Sequence, residues 1–180
     1  FRVSLGGKHI WQYTLWKNML GRCYLIRENC RNKTYIDVAV CDDWLSFGNF
    51  LEWVNKEVRY KGKPVGMALD KYLIVRGNKL YSPEFCSFVP RQVNNLVLDS
   101  ASIRGNQPMG VHFNRDTGRF FAQISDGGVM RHLGSFGTAE QAFLAYKIAK
   151  EAHIRVVAIQ YKNVLKPAVF ESLMNWDIEK

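Results

Sequence analysis

The sequence predicts an α+β protein in two small domains: an N-terminal unit of helices and short strands, then a three-stranded antiparallel sheet packed on one helix. Three observations carry this expectation. Residues 110–136 break into three short strands separated by the turn sequences "RDTG" and "SDGG", the spacing of consecutive hairpins. Apolar residues recur at helical spacing near the start of the chain and again after residue 138. Between the halves, "DSASIRGNQPM" (99–109) is polar, contains Gly and Pro and has no periodicity, which marks a linker. The domains expected are therefore 1–98 and 110–180, joined by 99–109.

In the first half, Tyr13, Trp16, Met19, Leu20 and Cys23 share one helical face between His9 and Tyr24, with the end expected near Gly21 or shortly after. "TYIDVAVC" (34–41) alternates as a strand does. Asp42 or Asp43 can cap a following helix in which Trp44, Phe47, Leu51 and Val54 fall on one face, reaching about Glu57. The basic loop "RYKGKPVG" (59–66) leads into "MALDKYLIV" (67–75), which reads as a strand, and "GNK" turns the chain back. A short helix carrying Val93, Asn94 and Leu96 is expected after Pro90.

In the second half the strands are "GVHFN" (110–114), "RFFAQIS" (119–125) and "VMRHLGSF" (129–136). Thr138 and Gln141 form a capping box that starts a helix running to about Ala152. Its small residues Ala139, Ala142, Ala145 and Ala149, with Phe143 and Tyr146 between them, let it lie close on the sheet. Period-two counting leaves His112, Asn114, Phe121, Gln123, Ser125 and His132 on the opposite, open face. "PAVFESLMNW" (167–176) reads as a final helix.

The chain has 180 residues, 47% of them hydrophobic, with a formal net charge of +9 and a pI near 9.5. That balance points to a polyanion, with nucleic acid foremost. The first 108 residues carry 16 basic and 9 acidic side chains and the remainder 9 and 7, so the first half supplies more of the salt-sensitive attraction. No apolar run approaches the roughly 18 to 20 residues that span a bilayer. The chain begins at Phe1 rather than a methionine, as a fragment would. Cys23, Cys30, Cys41 and Cys86 form no CxxC pair, which fits buried thiols in a reducing compartment. Zinc on Cys23, Cys41 and Cys86 is a weaker alternative that lacks an evident fourth ligand.

The second half resembles the plant APETALA2/ethylene-response-factor DNA-binding domain. The residues that carry the resemblance are Gly110-Val111, Ala122 and Ile124, Leu133-Gly134, Phe136, Thr138, Glu140 and Ala142, and Ala145-Tyr146, in order over about 45 residues. The resemblance implies a sheet that docks in the major groove of double-stranded DNA. The family's outward arginines and tryptophans fall here on His112, Asn114, Gln123, Ser125, Met130 and His132, so its strongest base-reading arginines are absent. Asn114 and Gln123 retain the amide geometry that pairs with adenine, and Arg115, Arg119 and Arg131 are candidates for phosphates or bases.

The first half resembles phage HNH homing endonucleases that carry such a domain at their C-terminus. The resemblance rests on "LWKNMLGRCY" (15–24), "VCDDWLSFGNFLEW" (40–53), "LDK" (69–71) and "GNKLYSPEFCSFVPRQVNN" (77–95). It implies an HNH-like ββα finger around one Mg2+ or Mn2+ ion and a homing-type endonuclease that hydrolyses or nicks duplex DNA in the cytoplasm of a bacterial host. Asp70 maps to the metal-binding acid and Asn94, or Asn95, to the helix-borne ligand. Lys71 stands where the general-base histidine would be; a solvated ammonium cannot accept a proton, but it can hold the scissile phosphate. Tyr72 occupies the position of a second acid. Arg76, Lys79 and Arg91, with Arg22, Arg59, Lys61 and Lys63, are candidates for a phosphate track. Two other expectations remain open: a DNA-binding protein that keeps a catalytically degenerate finger as scaffold, and an RNA-associated structural protein, which needs only the basic charge.

Overall fold

The computed structural model describes residues 4–5, 8–25, 37–58, 65–98 and 106–179. Its architecture is mixed α and β, and the chain divides into two compact units, Phe1–Arg91 and Gln92–Lys180. Most of the expected linker, residues 99–105, lies outside the described residues, as do Cys30, Arg59, Lys61, Lys63 and the start of the expected strand 34–41.

The first unit opens with a two-stranded antiparallel pair, β1 (Ser4–Leu5) and β2 (Lys8–His9), followed by α1 (Trp11–Tyr24). Among the described residues of the expected strand 34–41, β3 (Ala39–Val40) forms. Asp37 precedes it with a φ of 63°, a left-handed conformation that breaks extended pairing. The single helix expected over 42–57 is two: α2 (Asp42–Leu45) and α3 (Phe47–Glu57), separated by Ser46, whose φ and ψ of −84° and 122° are extended. The break keeps Trp44 and Phe50 in edge-to-face contact at 5.1 Å. Cys41, rather than either aspartate, takes the N-cap position of α2.

Next come β4 (Met67–Asp70), β5 (Leu80–Tyr81) and β6 (Ser87–Pro90), then α4 (Arg91–Leu96), whose first residue closes the first unit. β4 pairs antiparallel with β6, from Met67 opposite Pro90 to Asp70 opposite Ser87, and β3 pairs parallel with β5. The strand expected over 67–75 therefore ends five residues early. Asp70 ends it: its Oδ1 accepts the N–H groups of Tyr72 and Leu73 at 2.8 and 2.6 Å, a local turn that competes with the sheet ladder. The core of this unit gathers Met19, Val38, Val40, Trp44, Phe50, Val54, Leu69, Tyr81 and Cys86. Trp11, Trp16 and Trp53 pack at its margin, and the Trp16 indole donates to the carbonyl of Trp44 at 2.7 Å. At about 1.5–3 kcal/mol for each fully buried large apolar side chain, Trp44, Phe50 and Met19 are among the larger contributors to the unit's stability.

In the second unit, β7 (Val111–Asn114), β8 (Arg119–Asp126) and β9 (Val129–Phe136) form a three-stranded antiparallel sheet in that order. An irregularity between Ala122 and Gln123 shifts the β8–β9 register. The helix behind it, α5 (Ala139–Gln160), is longer than expected. Thr138 Oγ1 accepts from the Gln141 N–H, and Gln141 Oε1 accepts from Gly137 N–H, each at 3.3 Å, which closes the N-terminal cap. Ala142, Phe143 and Tyr146 are buried on one side of the helix, and Val111, Ala122 and Ile124 are buried in the sheet. The helix continues past Ala152 because Ile154, Val157 and Ala158 form a second buried stretch, and it packs on α6 (Pro167–Met174). Trp176 and Ile178 are buried after α6. Lys147 fixes this tail: its ammonium donates to the Asp177 carboxylate and, at 2.8 Å, to the Ile178 carbonyl, while Glu151 accepts from Ile178 N–H at 3.0 Å.

Candidate finger site and nucleic-acid interface

In the first unit, β4 pairs antiparallel with β6, with β5 between them in the chain. Asp70 closes β4 and is half-buried. Burial pushes its carboxyl up from the ordinary carboxylate range, with the N–H groups of Leu73 and Tyr72 pulling the other way. One carboxylate oxygen is thus committed to the turn. Lys71 lies with its ammonium 5.6 Å from the centre of the Tyr81 ring, and the Arg22 guanidinium lies 5.8 Å from the same ring. Both cations therefore lie within cation–π range of the same ring.

Asn94 and Asn95 lie on α4. Among the described residues, no group of three or more His, Cys, Asp or Glu is placed to hold a metal ion. The thiols of Cys23, Cys41 and Cys86 are all raised above their ordinary value chiefly by burial, and Cys86 is pushed up to about 12. Cys23, Cys41 and Cys86, the trio expected for zinc, form no such group among the described residues.

The loop from 71 to 80 owes its shape to Asn78, the middle residue of the expected "GNK" turn. Its amide donates to the carbonyls of Lys71 and Leu80 at 2.6 and 2.8 Å, and its Oδ1 accepts from Leu80 N–H at 3.2 Å. The signal was present in "RGNK", where an asparagine beside a glycine marks a turn with its own side-chain bonds. Of the expected phosphate track, Arg76, Lys79 and Arg91 are exposed, and Lys79 faces Asp37 at 3.4 Å.

In the second unit, α5 covers one face of the sheet, and strand register assigns the other. His112 pairs with Phe121, Phe121 with Ser135, Gln123 with His132, and Ser125 with Met130, so these side chains share the face away from Ala122 and Ile124. Three rings form a row across the strands: His112 to Phe121 at 5.4 Å and Phe121 to His132 at 5.3 Å between centroids. Both imidazoles are exposed and Phe121 is half-buried.

The expected contact residues divide on inspection. Gln123, Ser125 and the two histidines share the open face. Asn114 is partly engaged, since its Oδ1 accepts from the N–H groups of Asp116 and Thr117 at 2.9 and 3.0 Å and holds the first hairpin. Arg119 lies over β9, donating to the Oγ and carbonyl of Ser135 at 2.9 and 3.0 Å. Arg131 pairs in register with the buried Ile124, so it belongs to the helix-covered side. Arg115 is exposed at the hairpin.

Comparison with family profiles, with curated proteins and with solved structures finds no match. Among the described residues, no helix is long and apolar enough to cross a membrane.

Proposed function

We propose that this chain is a DNA-binding protein of the homing-endonuclease type that engages duplex DNA through the open sheet face of its second unit. The observation that carries the reading is that face itself. One side of the sheet is buried under α5, while His112, Ser125 and His132 stand exposed on the other in a chain of net charge +9. A polar, uncovered sheet on a basic protein suits a polyanion.

For the first unit, the geometry favours the scaffold reading over cutting. Asp70 spends one oxygen on the turn that ends β4, and Lys71 occupies the expected place of the base. Magnesium is commonly held by one or two carboxylates with several waters, so the cutting reading requires Asp70 to supply its remaining oxygen, with an asparagine amide from α4 beside it. The scaffold reading needs neither.

The experiment measures binding of a labelled duplex to the full chain from 50 to 200 mM salt, and nicking of supercoiled plasmid in magnesium and in manganese. The DNA-binding reading expects affinity that falls steeply with salt; an affinity indifferent to salt, or no binding, sinks it. Metal-dependent nicking that is lost in Asp70→Ala would establish the cutting reading in place of the scaffold one.

A further inference from the structure

We infer that the His112–Phe121–His132 row is a stacking platform for unpaired bases, so that the second unit holds a single strand more tightly than a duplex of equal length. The inference deepens the DNA-binding reading above and rests on it.

The open face is short of groups that read a groove. Reading base edges inside a groove takes long side chains with several donors aimed outward, arginine above all. Here the guanidinium of Arg119 is turned onto Ser135, Arg131 is in register with the helix-covered side, and Asn114 has its carbonyl oxygen committed to the hairpin. The centre of the face is instead three rings. They span all three strands at spacings of 5.4 and 5.3 Å, with interplanar angles of 49° and 65°.

Rings presented on an open sheet with a helix behind suit splayed bases, because every base has a π face and paired bases hide theirs. Gln123, beside His132 in the ladder, offers both an amide donor and an acceptor to a base edge. Arg115, exposed at the hairpin, is placed at the end of the face for a backbone phosphate. A duplex offers this surface phosphates and base edges, whereas a melted or frayed strand offers base faces as well. The same chemistry is found in single-stranded DNA and RNA, and the test separates them.

The test measures anisotropy of fluorescein-labelled oligothymidylate, oligouridylate and a mixed-sequence duplex of equal length with the full chain and three variants. The expected result is tighter binding of oligothymidylate than of duplex. Phe121→Ala and Phe121→Leu should weaken oligothymidylate binding about 10-fold or more, with duplex binding moved less than about 2-fold and Phe121→Trp restoring the single-strand affinity. Circular dichroism of Phe121→Leu checks that the sheet survives loss of the ring. A duplex bound more tightly than either oligomer, or equal losses on all three ligands, overturns the inference and leaves the DNA-binding reading standing. Preference for oligouridylate over oligothymidylate keeps the platform and makes RNA its ligand. Failure to bind any of the three removes both.

Discussion

The carboxylate of Asp70 accepts the backbone N–H of Leu73 at 2.6 Å, and that bond decides where β4 stops. The same carboxyl is pushed above its ordinary value of 3.8, chiefly by burial. An acid with a raised folded-state pKa binds its proton more tightly when folded, so stability falls as the pH rises from the unfolded value through the raised one. At neutral pH the charge carries that cost in full. Asp70→Asn keeps an acceptor for the turn and removes the charge, so it should be at least as stable as the parent at pH 7, with the difference shrinking as the pH falls toward 4. Asp70→Ala, which orphans two N–H groups, should lose about 1–3 kcal/mol. Urea unfolding across pH measures both; an Asn variant as unstable as the Ala variant would show that the charge itself holds the turn.

Gly110 precedes β7 with a φ of 72°, and a Cβ placed there would come 2.0 Å from the Tyr146 ring. Gly118, with a φ of 65°, has nothing within 4 Å. Substitution by alanine should therefore separate two costs. Gly118→Ala pays backbone strain alone, about 1 kcal/mol. Gly110→Ala also displaces a buried tyrosine and should lose at least 1 kcal/mol more. Chemical denaturation of both variants settles it, and equal losses would mean that the Tyr146 ring moves aside freely.

The second unit was legible because each of its devices is local. Hairpin turns, a Thr–Gln capping box and alternating strands report on neighbours a few residues away, and all three strands of the sheet fall within a residue of their expected ends. The length of α5 was not legible, because Ile154, Val157 and Ala158 are held by packing, including against α6, a tertiary partner that a capping signal cannot announce. In the first unit the sequence misleads where a polar side chain competes with the backbone. "MALDKYLIV" has the apolar content of a strand, yet Asp70 bends it at its fourth residue. The open face could be counted by period two, but the irregularity beside Gln123 and the engagement of Asn114 and Arg119 depend on partners across the sheet and within the turn.

Trp176 is buried two residues beyond α6, and the Lys147 ammonium holds Asp177 and Ile178 just after it. Trp176→Ala should cost about 3–5 kcal/mol, the range for emptying a buried aromatic site. Lys147→Met, which keeps most of the stem and removes the donors, should instead free the tail selectively. Hydrogen exchange would show lost protection at Ile178 while α5 remains protected. Uniform loss across α5 would mean that the tail and helix unfold as one.

Cys86 is fully buried in the first unit's core, and burial pushes its thiol from an ordinary 9.0 up to about 12. The reactive species is the thiolate, so at pH 8 a disulfide reagent should modify Cys86 only at the rate of unfolding. The stability consequence has a definite sign. The folded state keeps its proton where the unfolded thiol loses one, so stability is full below pH 9 and falls as the pH rises toward 12, by up to about 1.4 kcal/mol per pH unit. Cys86→Ala forfeits packing but removes this titration, so its stability should decline less steeply than the parent's between pH 9 and 11. The readout is the slope of unfolding free energy against pH. Parallel slopes would assign the alkaline loss to other groups and return Cys86 to the role of filler in the aromatic core.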